Sequence, residues 1–249
     1  MAGMSTNELI HLLDRADTLP GAAELRARTY ELLRLRSGAR VADVGCGSGL
    51  AVAELGARWA DAVGVDADPA MVAAARARHH GADFREGDAT ALPFADGELD
   101  AYRADKLFHE VGVPAVAVAE ARRVLAVGGR IVLVGQDWPS FAVDSDRPEL
   151  TGRIVQARAA AVTSPWVARS YRNLLLDAGF AEVAVEIRTG VCTDTGMLPM
   201  LTGLASVALR TLAITPEEYA AWLAEQTARA EAGRMFLAVP MVLASATRR

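Results

Sequence analysis

The sequence predicts an α/β fold built on a largely parallel sheet covered on both faces, and three observations carry that reading. From residue 40 onward, short apolar runs of β type alternate with segments of helical spacing. The first run passes straight into glycines spaced two apart and then into a helix former, as Val41-Ala42-Asp43-Val44-Gly45-Cys46-Gly47-Ser48-Gly49. The next run, Ala62-Val63-Gly64-Val65, ends on an acid, Asp66, about 20 residues after the loop, where a nucleotide-binding α/β unit places a ribose-binding carboxylate.

Residues 1–38 hold two helix-like stretches, Glu8 to Asp14 and Ala22 to Arg36. Strands are expected near 41–44, 62–66, 82–86, 99–103, 130–135, 181–189 and 235–245. Helices fill most gaps, over Leu50 to Ala60, Met71 to His79, Val116 to Leu125 and Tyr171 to Ala178, where Gly179 is a C-terminal stop. The third crossover is poor in helical signal. Ala95-Asp96-Gly97-Glu98 and Val127-Gly128-Gly129-Arg130 read as turns entering strands. Residues 137–168 look irregular, and 192–233 look like a helical insertion. No linker separates these parts. The expected organisation is therefore one domain over 1–249, with N-terminal helices at 1–38, a cofactor-binding core at 39–136, and 137–168 and 192–233 covering the substrate.

With 249 residues, 52% apolar and 23% charged, the chain can bury one large core. A net charge of -5 without a basic cluster argues against a nucleic-acid partner, whose phosphates need a concentrated positive surface. The N-terminus lacks the layout of a secretory signal, and no run reaches the length of a membrane span. Two cysteines give neither a disulfide framework nor a metal site. A cytoplasmic protein acting on a small molecule is expected, as a monomer or homodimer.

Asp43 stands mid-strand, where a buried charge must be paired or hydrogen-bonded, so it is either a structural carboxylate or a ligand contact. Asp66 can accept two vicinal hydroxyls, while Asp68 before Pro69 is the better helix cap. Asp88 is either a turn former or a ligand contact. Met71 is either core or a ligand contact. The loop reads Gly45-Cys46-Gly47-Ser48-Gly49, without the third glycine one helical turn on that a pyrophosphate loop requires. That spacing disfavours a dinucleotide.

These pieces together resemble the class I S-adenosylmethionine-dependent methyltransferases, over roughly residues 35–190 and the final strand. Val41 to Gly49, Val63-Gly64-Val65-Asp66, Glu86-Gly87-Asp88-Ala89, Leu92-Pro93-Phe94, Leu107-Phe108-His109-Glu110-Val111 and Leu125 to Ile131 carry the likeness. It is strongest to small-molecule enzymes of the ubiquinone and menaquinone type and their actinobacterial natural-product relatives. The resemblance implies a Rossmann-like, seven-stranded, mostly parallel sheet with an antiparallel last strand and helical additions over the C-terminal strand ends. It implies S-adenosyl-L-methionine held by Asp43, Gly45, Cys46, Gly47, Asp66, Ala67, Met71, Gly87, Asp88, Ala89 and the main chain near Arg103.

His109, after the fourth strand, is the candidate general base, against the alternative of a helix-start residue bonded to Glu110. Tyr30, Trp138 and Asp105 are candidates for the acceptor pocket. The implied activity is methyl transfer to oxygen, nitrogen or carbon of a small molecule. The alternative is the same fold binding the cofactor without transfer, as a non-redox cyclase or a regulatory module.

Overall fold

The computed structural model describes residues 10, 14, 17–19, 21–58 and 60–249. Most of the expected helix from Glu8 to Asp14 lies outside them. The described chain runs α1 (Ala22–Leu33), β1 (Arg40–Val44), α2 (Leu50–Arg58), β2 (Asp61–Asp66), α3 (Pro69–Arg78), β3 (Asp83–Glu86) and β4 (Leu99–Asp105). It continues through α4 (Pro114–Val124), β5 (Leu125–Gln136), β6 (Ala142–Val143), α5 (Pro148–Ala160) and α6 (Val167–Asp177). The last elements are β7 (Phe180–Cys192), α7 (Leu198–Arg210), α8 (Pro216–Glu231) and β8 (Leu237–Arg248).

The strand order is β3-β2-β1-β4-β5-β8, with β7 and the short β6 both paired to β8. The neighbours β3, β2, β1, β4 and β5 run parallel, whereas β8 is antiparallel to β5 and to β7. All the C-terminal ends of the parallel strands therefore open on one edge, where open α/β sheets bind ligands. The sheet has eight strands among the described residues, not seven, because Ala142 and Val143 pair with Ala238 and Leu237. Two residues leave no periodicity to read. Residues 137–168 also depart from the irregular reading, since α5 occupies 13 of them.

No helix lies between β3 and β4, in keeping with the weak pattern there. Elsewhere local chemistry sets the ends. Asp68 caps α3 by accepting from the Ala70 N–H at 2.8 Å, and Pro69 takes the first helical position. Thr215 and Glu218 form a reciprocal capping box on α8.

On one face, Tyr30 and Leu33 of α1 and Ala51 and Leu55 of α2 pack on Val41, Ala101, Val132 and Val134. On the other, Ala117, Val118 and Ala121 of α4 and Tyr171 and Leu175 of α6 cover Val44, Tyr102 and Leu133. A separate apolar cluster joins α5, α7 and α8 around Ile154, Leu201 and Trp222 and reaches Cys192 and Leu237. Those two residues mark the ends of β7 and β8 on the ligand-binding edge, so the added helices sit over it.

A candidate cofactor crevice and acceptor cavity

The loop after β1 is held in a conformation that glycine alone adopts without cost. Gly45, Gly47 and Gly49 have φ of 72°, 51° and 89°. A Cβ on Gly45 would stand 3.0 Å from Leu107 Cδ1, and one on Gly49 would stand 2.6 Å from Phe84 Cζ. The glycines thus let β1 turn tightly against its neighbours.

Four of the loop's own N–H groups are satisfied within the protein. Gly45 and Cys46 donate to the Val65 carbonyl at 2.8 and 3.1 Å, and Gly49 donates to the Cys46 carbonyl at 3.0 Å. Gly47 donates to Asp66 Oδ2 at 2.9 Å. A phosphate is seated by unsatisfied N–H groups at a helix start, and these four are already satisfied. The arrangement fits a ligand without phosphate.

Asp66 sits at the β2 end with Oδ1 also accepting from the Asp68 N–H at 3.0 Å. Each carboxylate oxygen has two acceptor positions, so two remain for a pair of hydroxyls. Ala67 follows, and Met71 is 3% exposed on α3. Gly87 is tied to the Asp66 carbonyl at 3.0 Å, and a Cβ there would meet Pro93 and Val65, each at 2.9 Å. Asp88 Oδ1 accepts from the Thr90 N–H and hydroxyl at 2.7 and 2.5 Å, so this oxygen serves its own turn. Ala89 is buried beside it. Burial pushes the Cys46 thiol up, which leaves it a small apolar group behind the loop.

Asp43 and Arg103 are ladder partners on β1 and β4, and their side chains form a buried ion pair at 2.6 Å. The Arg103 guanidinium also donates to Asp105 Oδ2 at 2.8 Å and to Thr29 Oγ1 at 2.8 Å, and it lies 5.8 Å from the Tyr30 ring centre. Burial raises the Asp43 carboxyl, and Arg103 opposes that shift. At Asp105 burial acts in the same direction, but Lys106 and Arg103 outweigh it and hold the carboxyl low. Asp43 is thus engaged structurally by a side chain whose role the sequence left open. The pairing needs the β1–β4 register, which no local pattern discloses.

The acceptor-side candidates separate in space. The Tyr30 hydroxyl donates to Glu54 at 2.9 Å within the packing of α1 and α2. His109 and Trp138 come together edge to face at 5.5 Å, Phe141 stacks on Trp138, and the Arg158 guanidinium lies 4.1 Å over the indole. His109 Nε2 is 3.4 Å from Glu110, while its Nδ1 is buried and unpartnered among the described residues.

A 540 Å³ cavity opens instead at the ends of β4 and β5, lined by Asp105, Lys106, Gln136, Met197, Met200 and Met241 among others. Tyr30, His109 and Trp138 do not line it. Lys106 precedes Leu107, against which Gly45 packs, so cavity and glycine loop adjoin. Of the cavity residues only Asp105 was a site candidate in the sequence, because Met197 and Met200 read as one end of a helix and Met241 lies on a distant strand. Among the described residues no group of three or more His, Cys, Asp or Glu side chains gathers to hold a metal.

Residues 42–133 match the model of a methyltransferase domain family. An uncharacterised protein in a transposon of Streptomyces fradiae is 32% identical over 202 residues, covering 78% of this chain and 59% of its own. A demethylmenaquinone methyltransferase of Beutenbergia cavernae is 36% identical over 117 residues, covering 47% of this chain and 49% of its own. The chain thus spans about half the length of the curated relatives it matches. The solved structure of a putative methyltransferase from Bacillus halodurans superposes with a TM-score of 0.62 at 20% identity, covering 90% of this chain and 98% of that one.

The sheet order, the strand-end crevice and these matches define a methyltransferase-type α/β protein. Over residues 42–133 the chain carries a methyltransferase domain, and over about half its length it is similar to demethylmenaquinone methyltransferases.

Proposed function

We propose that the chain methylates a small, largely apolar acceptor, with S-adenosylmethionine in the crevice and the acceptor in the cavity beside it. The observation that carries this reading is the contiguity of the two. The glycine loop that closes the crevice packs on Leu107, and Asp105 and Lys106 just before it line a cavity that Met197, Met200 and Met241 also face. When bound, the cofactor supplies a methyl group already activated on a sulfonium.

The residues' work is then binding and alignment, which can supply several kcal/mol of barrier reduction without a covalent enzyme intermediate. Asp66 takes the ribose hydroxyls, Gly45, Cys46, Gly47 and Ala67 form the wall, and Met71, Gly87, Asp88 and Ala89 surround the adenine. Asp66→Ala is expected to weaken S-adenosylhomocysteine binding by about 1–3 kcal/mol, measured calorimetrically. Release of S-adenosylhomocysteine that depends on an added acceptor tests the activity. Cofactor binding with no acceptor-dependent release would instead support a binding module or a non-redox cyclase.

His109 does not line this cavity, so its role as base is a separate reading with its own test. If His109→Gln lowers kcat/KM by about 10²-fold and removes an ionisation from its pH profile, proton transfer is supported. A smaller loss with reduced stability assigns the ring to its packing on Trp138. A place in natural-product biosynthesis rests on the resemblance, and a cytoplasmic location on the composition and the cysteine usage.

A further inference from the structure

The cavity beside the crevice mixes apolar and charged side chains, and two of its lining residues carry a buried acceptor that lacks a partner among the described residues. Asp105 Oδ1 and Gln136 Oε1 are both buried without a hydrogen bond among the described residues. Their placement follows from the sheet. Asp105 pairs in register with Val134 across β4 and β5, and Gln136 lies two residues further along, on the same face. Both side chains therefore stand at the strand ends on the face that α1 covers. An unpaired buried acceptor is costly, and two on one wall call for a shared donor.

The other oxygen of Asp105 is already occupied. It accepts from Arg103 at 2.8 Å and from Lys106 at 3.4 Å, which fixes the carboxylate and leaves Oδ1 as the unpaired acceptor. Met197, Met200 and Met241 furnish an adaptable apolar surround, suited to the body of a ligand and not to its polar end.

We propose that the acceptor is a protic molecule, a hydroxyl or amine on an apolar body, whose O–H or N–H is held between Asp105 Oδ1 and Gln136 Oε1. This rests on the methyl-transfer reading above and narrows it to oxygen or nitrogen as the methylated atom. The acceptor's lone pair forms the new bond to the methyl carbon while the C–S bond breaks, its electron pair staying on sulfur. As that bond forms, the acceptor's proton becomes strongly acidic and passes to Asp105 Oδ1. A carboxylate held low is base enough for such a proton.

The test uses the full chain and a matched pair of probes, 2-naphthol and 2-methylnaphthalene, which share an apolar body and differ in the donor. Titrations are run with and without saturating S-adenosylhomocysteine. The proposal expects 2-naphthol to bind about tenfold more tightly. Gln136→Leu is expected to shrink that preference to about twofold, and Gln136→Glu, which keeps an acceptor, to restore it. Neither substitution removes a partner of Arg103. Equal affinities in the parent protein, a preference that survives Gln136→Leu, or no binding of either probe would overturn it. Failure of S-adenosylhomocysteine itself to bind defeats the cofactor reading separately, because the probe ratio is also measured without it.

Discussion

Arg103→Met is expected to destabilise the chain by about 3–5 kcal/mol, read from urea unfolding midpoints. The reason is the company the guanidinium keeps. It is 2% exposed and neutralises two carboxylates at once, Asp43 at 2.6 Å and Asp105 at 2.8 Å, beneath α1. Removing it leaves two buried anions facing each other, with Lys106 paired to Asp105 alone. Most of the loss is the cost of that uncompensated charge, not the net worth of the ion pairs. Combining Arg103→Met with Asp43→Asn should therefore recover part of it. A loss under about 1 kcal/mol for the single change would show that water reaches the site and that the pair is not buried in solution.

Trp222→Ala is expected to cost about 3–5 kcal/mol, the range for truncating a large buried aromatic side chain. Trp222 is fully buried and its indole N–H donates to Thr151 Oγ1 at 2.9 Å, so the change leaves a void and an orphaned hydroxyl. The effect should be confined. Trp222 belongs to the cluster of α5, α7 and α8 that includes Met197 on the cavity wall, while the crevice is built from the ends of β1, β2 and β3. S-adenosylhomocysteine affinity at a temperature where the variant is folded should stay within about twofold of the parent, with acceptor binding weakened. Equal losses for both ligands would mean that the helical cap and the crevice are one cooperative unit.

How far the sequence disclosed this molecule follows from the range of its interactions. The alternation of strands and helices, the glycine loop and Asp66 are local, and each was legible where it stands. The two-residue β6 was not, because its pairing with Ala238 and Leu237 lies in the partner strand and not in its own composition. Helix α5 was hidden by prolines on both sides of it and by an apolar pattern that serves two neighbours, α7 and α8. Arg103 looked like a strand-end residue offering its main chain, yet its side chain organises Asp43, Asp105 and Thr29 across a register set only by folding. The cavity depends on residues from α7, β5 and β8 and on the loop after β4, a combination that no single window contains.

The central claim is that the bend after β1 and the carboxylate of Asp66 hold an adenosyl sulfonium compound. Calorimetric titration of the parent chain with S-adenosylhomocysteine, and in parallel with NADH, tests it most directly. One equivalent of S-adenosylhomocysteine should bind, weakened about tenfold or more in Asp66→Ala, and NADH should give no saturable heat. Tight binding of NADH with none of S-adenosylhomocysteine would contradict the account.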